Sequence, residues 1–172
     1  MRKRRISAWA GLVCAGGLLL ASQPASATPP NAATGSFDLP GIDTAGSDGF
    51  CPFAVTVSYI NNEQITEQVL PDGTKIDTYR GTAFATITND KTGKSVTYTI
   101  SGPGTYTYPP DNSFMLDAAG PNLLWTTVAD SYPGVPQLNF TRGHVKVEVN
   151  STGLTTSFQL AGNSVDVCAA LT

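Results

Sequence analysis

Two cysteines, Cys51 and Cys168, bracket most of the strand-like sequence in this 172-residue chain, and they constrain its fold more than any other feature. The third, Cys14, lies in an N-terminal segment with the pattern of a secretory signal. Arg2, Lys3, Arg4 and Arg5 form a basic start, Ala8 to Ala21 an apolar core, and Ala25-Ser26-Ala27 a small-residue cleavage site. That core has 14 residues, short of the roughly 20 that a spanning helix needs, so residues 1–27 are expected to be cleaved off rather than kept as an anchor. Arg4-Arg5 raises the twin-arginine route, but Ser7 and Ala8 stand where that motif wants bulkier apolar residues, which favours general secretion. In an oxidising compartment, two cysteines flanking one domain are expected to pair. Closing a loop of about 100 residues stabilises by some 4–5 kcal/mol in the chain-entropy model. A zinc site is a poor rival, because it wants four ligands and His144 is the sole histidine.

Charge narrows the partners. Loss of residues 1–27 leaves six Lys/Arg against thirteen Asp/Glu, a balance of −7. That sign repels phosphate backbones and anionic lipid, so neither nucleic acid nor a membrane surface is an expected partner. An extracellular ligand or a cell-wall component is.

Residues 28–49 are rich in Pro, Gly, Ala, Ser and Thr, with Phe37, Leu39 and Ile42 as the only larger apolar side chains. Too little apolar surface is present to offset ordering entropy, so the composition predicts a flexible leader followed by a single domain over 50–172. From Cys51 onward the period is two. Phe53, Val55, Val57 and Tyr59, then Val96, Tyr98 and Ile100, then Val145, Val147 and Val149, alternate with polar or small residues. This is the pattern of half-buried antiparallel strands. Leu70-Pro71-Asp72-Gly73-Thr74, Asn89 to Lys94 and Asn150 to Gly153 read as tight turns. Gly81 reads as a bulge within one long strand over 75–88.

Short connections favour a meander. An open meander puts its first and last strands on opposite edges, whereas a disulfide holds its Cα atoms within roughly 7 Å. The expected fold is therefore all-β: an antiparallel meander closed into a barrel or a sandwich, with the first and last strands side by side and joined by Cys51 and Cys168.

Candidate sites are few. His144 falls on the polar face of its strand, opposite Val145 and near Lys146, and no G-x-S-x-G elbow accompanies it. Glu63 and Glu67 share one strand face, as do Asp77 and Tyr79. Paired carboxylates are what glycoside hydrolysis requires, but acidic residues on exposed strands are commonplace. The carboxylates are scattered, so no metal or other cofactor is expected and no catalytic residue is assigned. Tyr106 and Tyr108, beside Pro109-Pro110, and Trp125, in the apolar run after Leu123-Leu124, are the candidate ligand-contacting aromatics. Trp125 equally suits a core. Asn139-Phe140-Thr141 and Asn150-Ser151-Thr152 match the glycosylation acceptor pattern, which matters only in a glycosylating host.

The Ala25-Ser26-Ala27 site, the Pro/Ala/Thr-rich leader and the stretches FCPFAVTVS, LPDGT, TNDKTGKSVTYTISGPG and VDVCAALT resemble small secreted β-rich proteins of high-GC Gram-positive bacteria, a group without an assigned activity. The resemblance implies a bacterial, extracellular β-domain and carries over no catalytic residue. The expectation is a secreted, non-catalytic binding or surface-associated domain. The alternatives are an extracellular hydrolase acting on polysaccharide or lipid, and a lipocalin-like carrier of a small apolar molecule.

Overall fold

The computed structural model describes residues 33–42 and 49–172, and within them the chain is all-β. Its ten strands are β1 (Ala33–Leu39), β2 (Val55–Asn61), β3 (Gln64–Val69), β4 (Lys75–Arg80), β5 (Ala83–Asn89), β6 (Ser95–Thr99), β7 (Gly104–Tyr108), β8 (Phe114–Trp125), β9 (Leu138–Val149) and β10 (Thr155–Asp166). A one-turn helix, α1 (Val167–Ala170), follows. No helix among the described residues is long and apolar enough to cross a membrane. The predicted signal peptide, residues 1–27, lies outside the described residues.

Every pair among these ten strands is antiparallel, in two sheets ordered β1-β2-β5-β6 and β10-β9-β8-β7-β4-β3, and one parallel bridge joins Gly41 to Cys51 outside them. The simple meander does not hold. After β2 the chain leaves the first sheet, makes the β3–β4 hairpin in the second, and returns to lay β5 against β2. Gly81 is thus a sheet change between β4 and β5, where one long strand was expected. Its φ of 143° and the carbonyl of Asn62 beside it leave no room for a side chain. Both strand orders are open-ended, and no closed barrel is formed among the described residues.

The leader differs from expectation as well. Residues 33–39 form β1, paired along its length with β2, so the folded unit starts well before Phe50. Alternation explains it. Phe37 packs against the core and Leu39 is buried in it, while Thr34, Ser36 and Asp38 face outward. Two large apolar side chains suffice because the neighbouring strand is already in place.

One core lies between the sheets. Val55, Val57, Ala85 and Ile87 from the first meet Leu123, Leu138 and Phe140 from the second, with Val167, Cys168 and Leu171 of the C-terminal turn. Fully burying each of the larger side chains contributes about 1.5–3 kcal/mol. Cys51 and Cys168 form a disulfide with Cα atoms 5.4 Å apart. It joins near-terminal strands, as the sequence suggested, but those strands belong to different sheets instead of lying side by side. Cys51 precedes β2, Cys168 lies in α1 after β10, and the bond ties the chain ends of the two sheets across this core.

The second core belongs to the six-stranded sheet alone: Leu116, Ala118, Val145, Val147 and Val149, lined by Tyr106, Phe114, Phe158 and Leu160. Its position follows from a row of glycines. Gly120, Gly143 and Gly162 are register partners across β8, β9 and β10, all with positive φ. Before this row β9 is buried on both faces, Leu138 to Thr141; after it, only Val145, Val147 and Val149 are. At this row β8 and β9 change the face they bury, at positions where none of the three strands carries a Cβ.

Candidate functional site

Three hairpins use one device. In β3–β4, the Leu70 N–H donates to the Thr74 carbonyl at 2.8 Å, the Thr74 N–H to Asp72 Oδ1 at 2.9 Å, and Gly73 takes φ 86°. That turn fixes the register Val69↔Lys75, Glu67↔Asp77 and Ile65↔Tyr79. Because side chains alternate, odd-numbered residues of β3 and β4 share the face that carries the second core.

Across that face the register continues as Glu67, Asp77, Tyr106, Leu116, Val147 and Phe158. The row is acidic at the β3 edge and apolar at the β10 edge. At the acidic end the Lys75 ammonium bridges Glu67 at 2.7 Å and Asp77 at 3.2 Å, and lies 5.8 Å from the centroid of the Tyr108 ring. Tyr106 is packed edge-on against Tyr79 at 4.9 Å and tilted against Phe114 at 5.6 Å; Tyr108 lies 5.5 Å from Phe114. Asp77 is 5% exposed, and its Oδ1 has no hydrogen-bond partner among the described residues.

The electrostatics follow from this packing. Burial raises the Asp77 carboxyl above its ordinary 3.8, with the Lys75 hydrogen bond and charge opposing. Burial raises Glu63 also, against a hydrogen bond from Asn61. Lys75 is raised above 10.5, chiefly by its bond to Glu67. Burial drives the Tyr106 hydroxyl up strongly, with the charges of Tyr108 and Glu63 adding to it. Three carboxylates, Glu63, Glu67 and Asp77, thus share one region with a single ammonium.

The sequence candidates separate. Tyr106 and Tyr108 do share a face, 6.5 Å apart, but Tyr106 is packed into the second core while Tyr108 is half-buried. Trp125 lies elsewhere, against Phe37 at 5.5 Å beside the first core. Cys51 and Cys168 are in the disulfide. His144 sits on the solvent face of β9, as the alternation implied, where Asp117 accepts from it at 2.6 Å and from Lys146 at 3.0 Å. Of the glycosylation patterns, Asn139 is 1% exposed, and Asn150 Oδ1 closes its own turn by accepting from the N–H groups of Thr152 and Leu154. Among the described residues no three metal-ligating side chains converge.

Sequence reasoning missed the Lys75 bridge. Its signal was present, because the turn at Leu70 to Thr74 alone sets Glu67 opposite Asp77 and Lys75 two residues away on the same face. The opposite face of this hairpin is a shallow polar groove lined by Gln64, Thr66, Thr78 and Arg80. Compared with protein-family models, with curated proteins and with solved structures, the chain finds no match in any of the three.

Proposed function

We propose that this chain acts outside the cell as a non-catalytic binding domain with its two sheets stacked as a sandwich, and that it holds cationic groups on the acidic, tyrosine-lined face of β3, β4 and β7. The observation that carries this reading is the seat of Lys75. The protein's own ammonium lies between Glu67 and Asp77 and over the Tyr108 ring, so the face already offers what a cation needs. Glu63 adds a carboxylate beyond the two that Lys75 uses. The basic, apolar and small-residue pattern of residues 1–27 and the Cys51–Cys168 disulfide support export.

Two features favour binding over hydrolysis. Lys75 holds both Glu67 and Asp77, whereas glycoside hydrolysis wants one carboxyl protonated and its partner free. His144 is turned to the other face and engaged by Asp117. The carrier alternative draws on a closed barrel around an apolar cavity, and the open strand orders lend it no support.

The test is a backbone-amide NMR titration of the intact protein with methylguanidinium and tetramethylammonium chlorides, sodium chloride serving as control. The expected result is shifts confined to Glu67, Lys75, Asp77 and Tyr108, weakened several-fold in Glu67→Gln and Tyr108→Ala. Shifts centred on Asp117, His144 and Lys146 would overturn the reading. So would turnover of chromogenic glycosides or esters that Asp77→Asn abolishes.

A further inference from the structure

The second sheet ends at β3, whose outer edge has no neighbouring strand among the described residues. Which of its backbone groups point outward follows from two hydrogen bonds. The Asn62 N–H donates to the Thr82 carbonyl at 2.8 Å and the Leu70 N–H to Thr74 at 2.8 Å, and the register between them is unbroken. Antiparallel pairing alternates, so Gln64, Thr66 and Gln68 bond inward to β4, while Glu63, Ile65, Glu67 and Val69 direct N–H and C=O outward. The first of these is already closed off, because the Glu63 N–H donates to Asn61 Oδ1 at 2.7 Å. Ile65, Glu67 and Val69 are left as a row of outward pairs. The edge carries no Pro, no Lys and no bulge, the usual devices that discourage strand addition.

The two faces of this edge differ in charge. On the odd-numbered face stand Glu63, Glu67 and Asp77 against Lys75. On the even-numbered face is the polar groove of Gln64, Thr66 and Thr78, made cationic by Arg80. A strand laid beside β3 sends successive side chains alternately to these faces. Cations suit the first and are repelled from the second.

We propose that the free edge of β3 accepts an extended peptide as an additional strand, one bearing Lys or Arg at alternate positions with small polar residues between. This rests on the cationic-group reading of the acidic face and adds a register to it. Backbone hydrogen bonds to Ile65, Glu67 and Val69 hold the peptide, and the acidic face selects its side chains. A second copy of this chain fits poorly, because pairing β3 with itself brings Glu67 towards another Glu67.

The test titrates the intact protein with three acetylated hexapeptides: lysine alternating with threonine, the same composition with its lysines contiguous, and glutamate alternating with threonine. Calorimetry gives affinity, and amide exchange at Ile65, Glu67 and Val69 gives strand addition. The alternating lysine peptide is expected to bind about tenfold more tightly than the contiguous one, the glutamate peptide not to bind, and exchange at the three amides to slow. Val69→Pro removes one outward N–H at a residue 62% exposed, on the side of an edge strand where proline is tolerated, and should lower affinity about tenfold without changing the response to methylguanidinium. N-methylation of the alternating peptide, with the wild-type protein, should do the same and does not depend on any variant folding. Equal binding of the alternating and contiguous peptides, unaffected by Val69→Pro or N-methylation, would overturn the edge proposal while leaving the acidic face standing. No response to methylguanidinium would remove both. A dimer of the free protein in sedimentation, dissociated by Val69→Pro, would overturn the proposal by giving the edge to a second copy.

Discussion

The side-chain amide of Asn89 donates to the backbone carbonyl of Leu171 at 3.2 Å, joining the β5–β6 turn to the C-terminal helix across 82 residues of sequence. The same side chain closes its own turn, with Oδ1 accepting from the N–H groups of Lys91 at 2.9 Å and Thr92 at 3.2 Å. Asn89 is buried, and Leu171 is fully buried beside the disulfide.

Asn89→Ala is therefore expected to destabilise the domain by about 2–4 kcal/mol, since it removes three hydrogen bonds and leaves a buried carbonyl unpaired. Lys94 is the comparator. Its ammonium reaches the Thr172 carbonyl at 2.7 Å but from an exposed position, so Lys94→Met should stay within about 1 kcal/mol of wild type. Urea unfolding midpoints at unchanged m-value make the comparison. Equal effects for the two would deny Asn89 its joining role.

The disulfide closes 117 residues, and Cys51 is 0% exposed. Replacing both cysteines with alanine should lower stability by about 4–5 kcal/mol in the chain-entropy model. Native, unreduced protein without residues 1–27 should take up no alkylating reagent, and reduction should require prior unfolding. Rapid labelling of Cys51 under native, unreduced conditions would show a free thiol and contradict the Cys51–Cys168 bond.

Gly143 occupies the middle of the glycine row at φ 123°, and an added Cβ would collide with the carbonyl of Ala161 on β10. Gly143→Ala should lose about 3 kcal/mol or more, combining backbone strain with a clash that no flexible side chain can relieve. Gly93 has φ 75° and open space around it, so Gly93→Ala should lose only about 1 kcal/mol. Similar losses at both sites would mean that the row does not shape the sheet.

This contrast shows what was legible in the chain. Turns and faces were local and readable: Pro71-Asp72-Gly73, Gly93 and Gly153 close the hairpins expected of them, and the parity of Val145 puts His144 outside. Which strand sits beside which was not. Nothing in the run from Lys75 to Thr88 says that its halves belong to different sheets, because Val57 and Ile87 meet only once the β3–β4 hairpin has been set aside. The glycines of β8, β9 and β10 carried no reading of their own in the sequence. Each lies inside one 12-residue strand, and only their alignment across three strands reveals the row. The acidic face was half visible: its carboxylates and tyrosines were noticed strand by strand, and the lysine that gathers the carboxylates was not.

That lysine gives the face a pH signature. Asp77 is raised above 3.8 by burial, so the fold holds its proton more tightly than the unfolded chain does. The stability this lends is present below 3.8 and is lost as pH rises through the elevated folded value. Lys75 works in the opposite range: raised above 10.5, it contributes fully below that value and loses its contribution as pH climbs through the folded one. Asp77→Asn removes the first dependence and leaves Lys75 its closer partner, Glu67 at 2.7 Å. The variant should gain on wild type as pH rises from acid to neutral, because wild type alone must then bury a charge, and the two should run parallel from there to the alkaline limb. Thermal melts of both proteins across that range make the measurement. If the two curves keep a constant separation from acid to neutral pH, Asp77 is not held in a proton-favouring environment, and its orphaned oxygen has found a partner in solution.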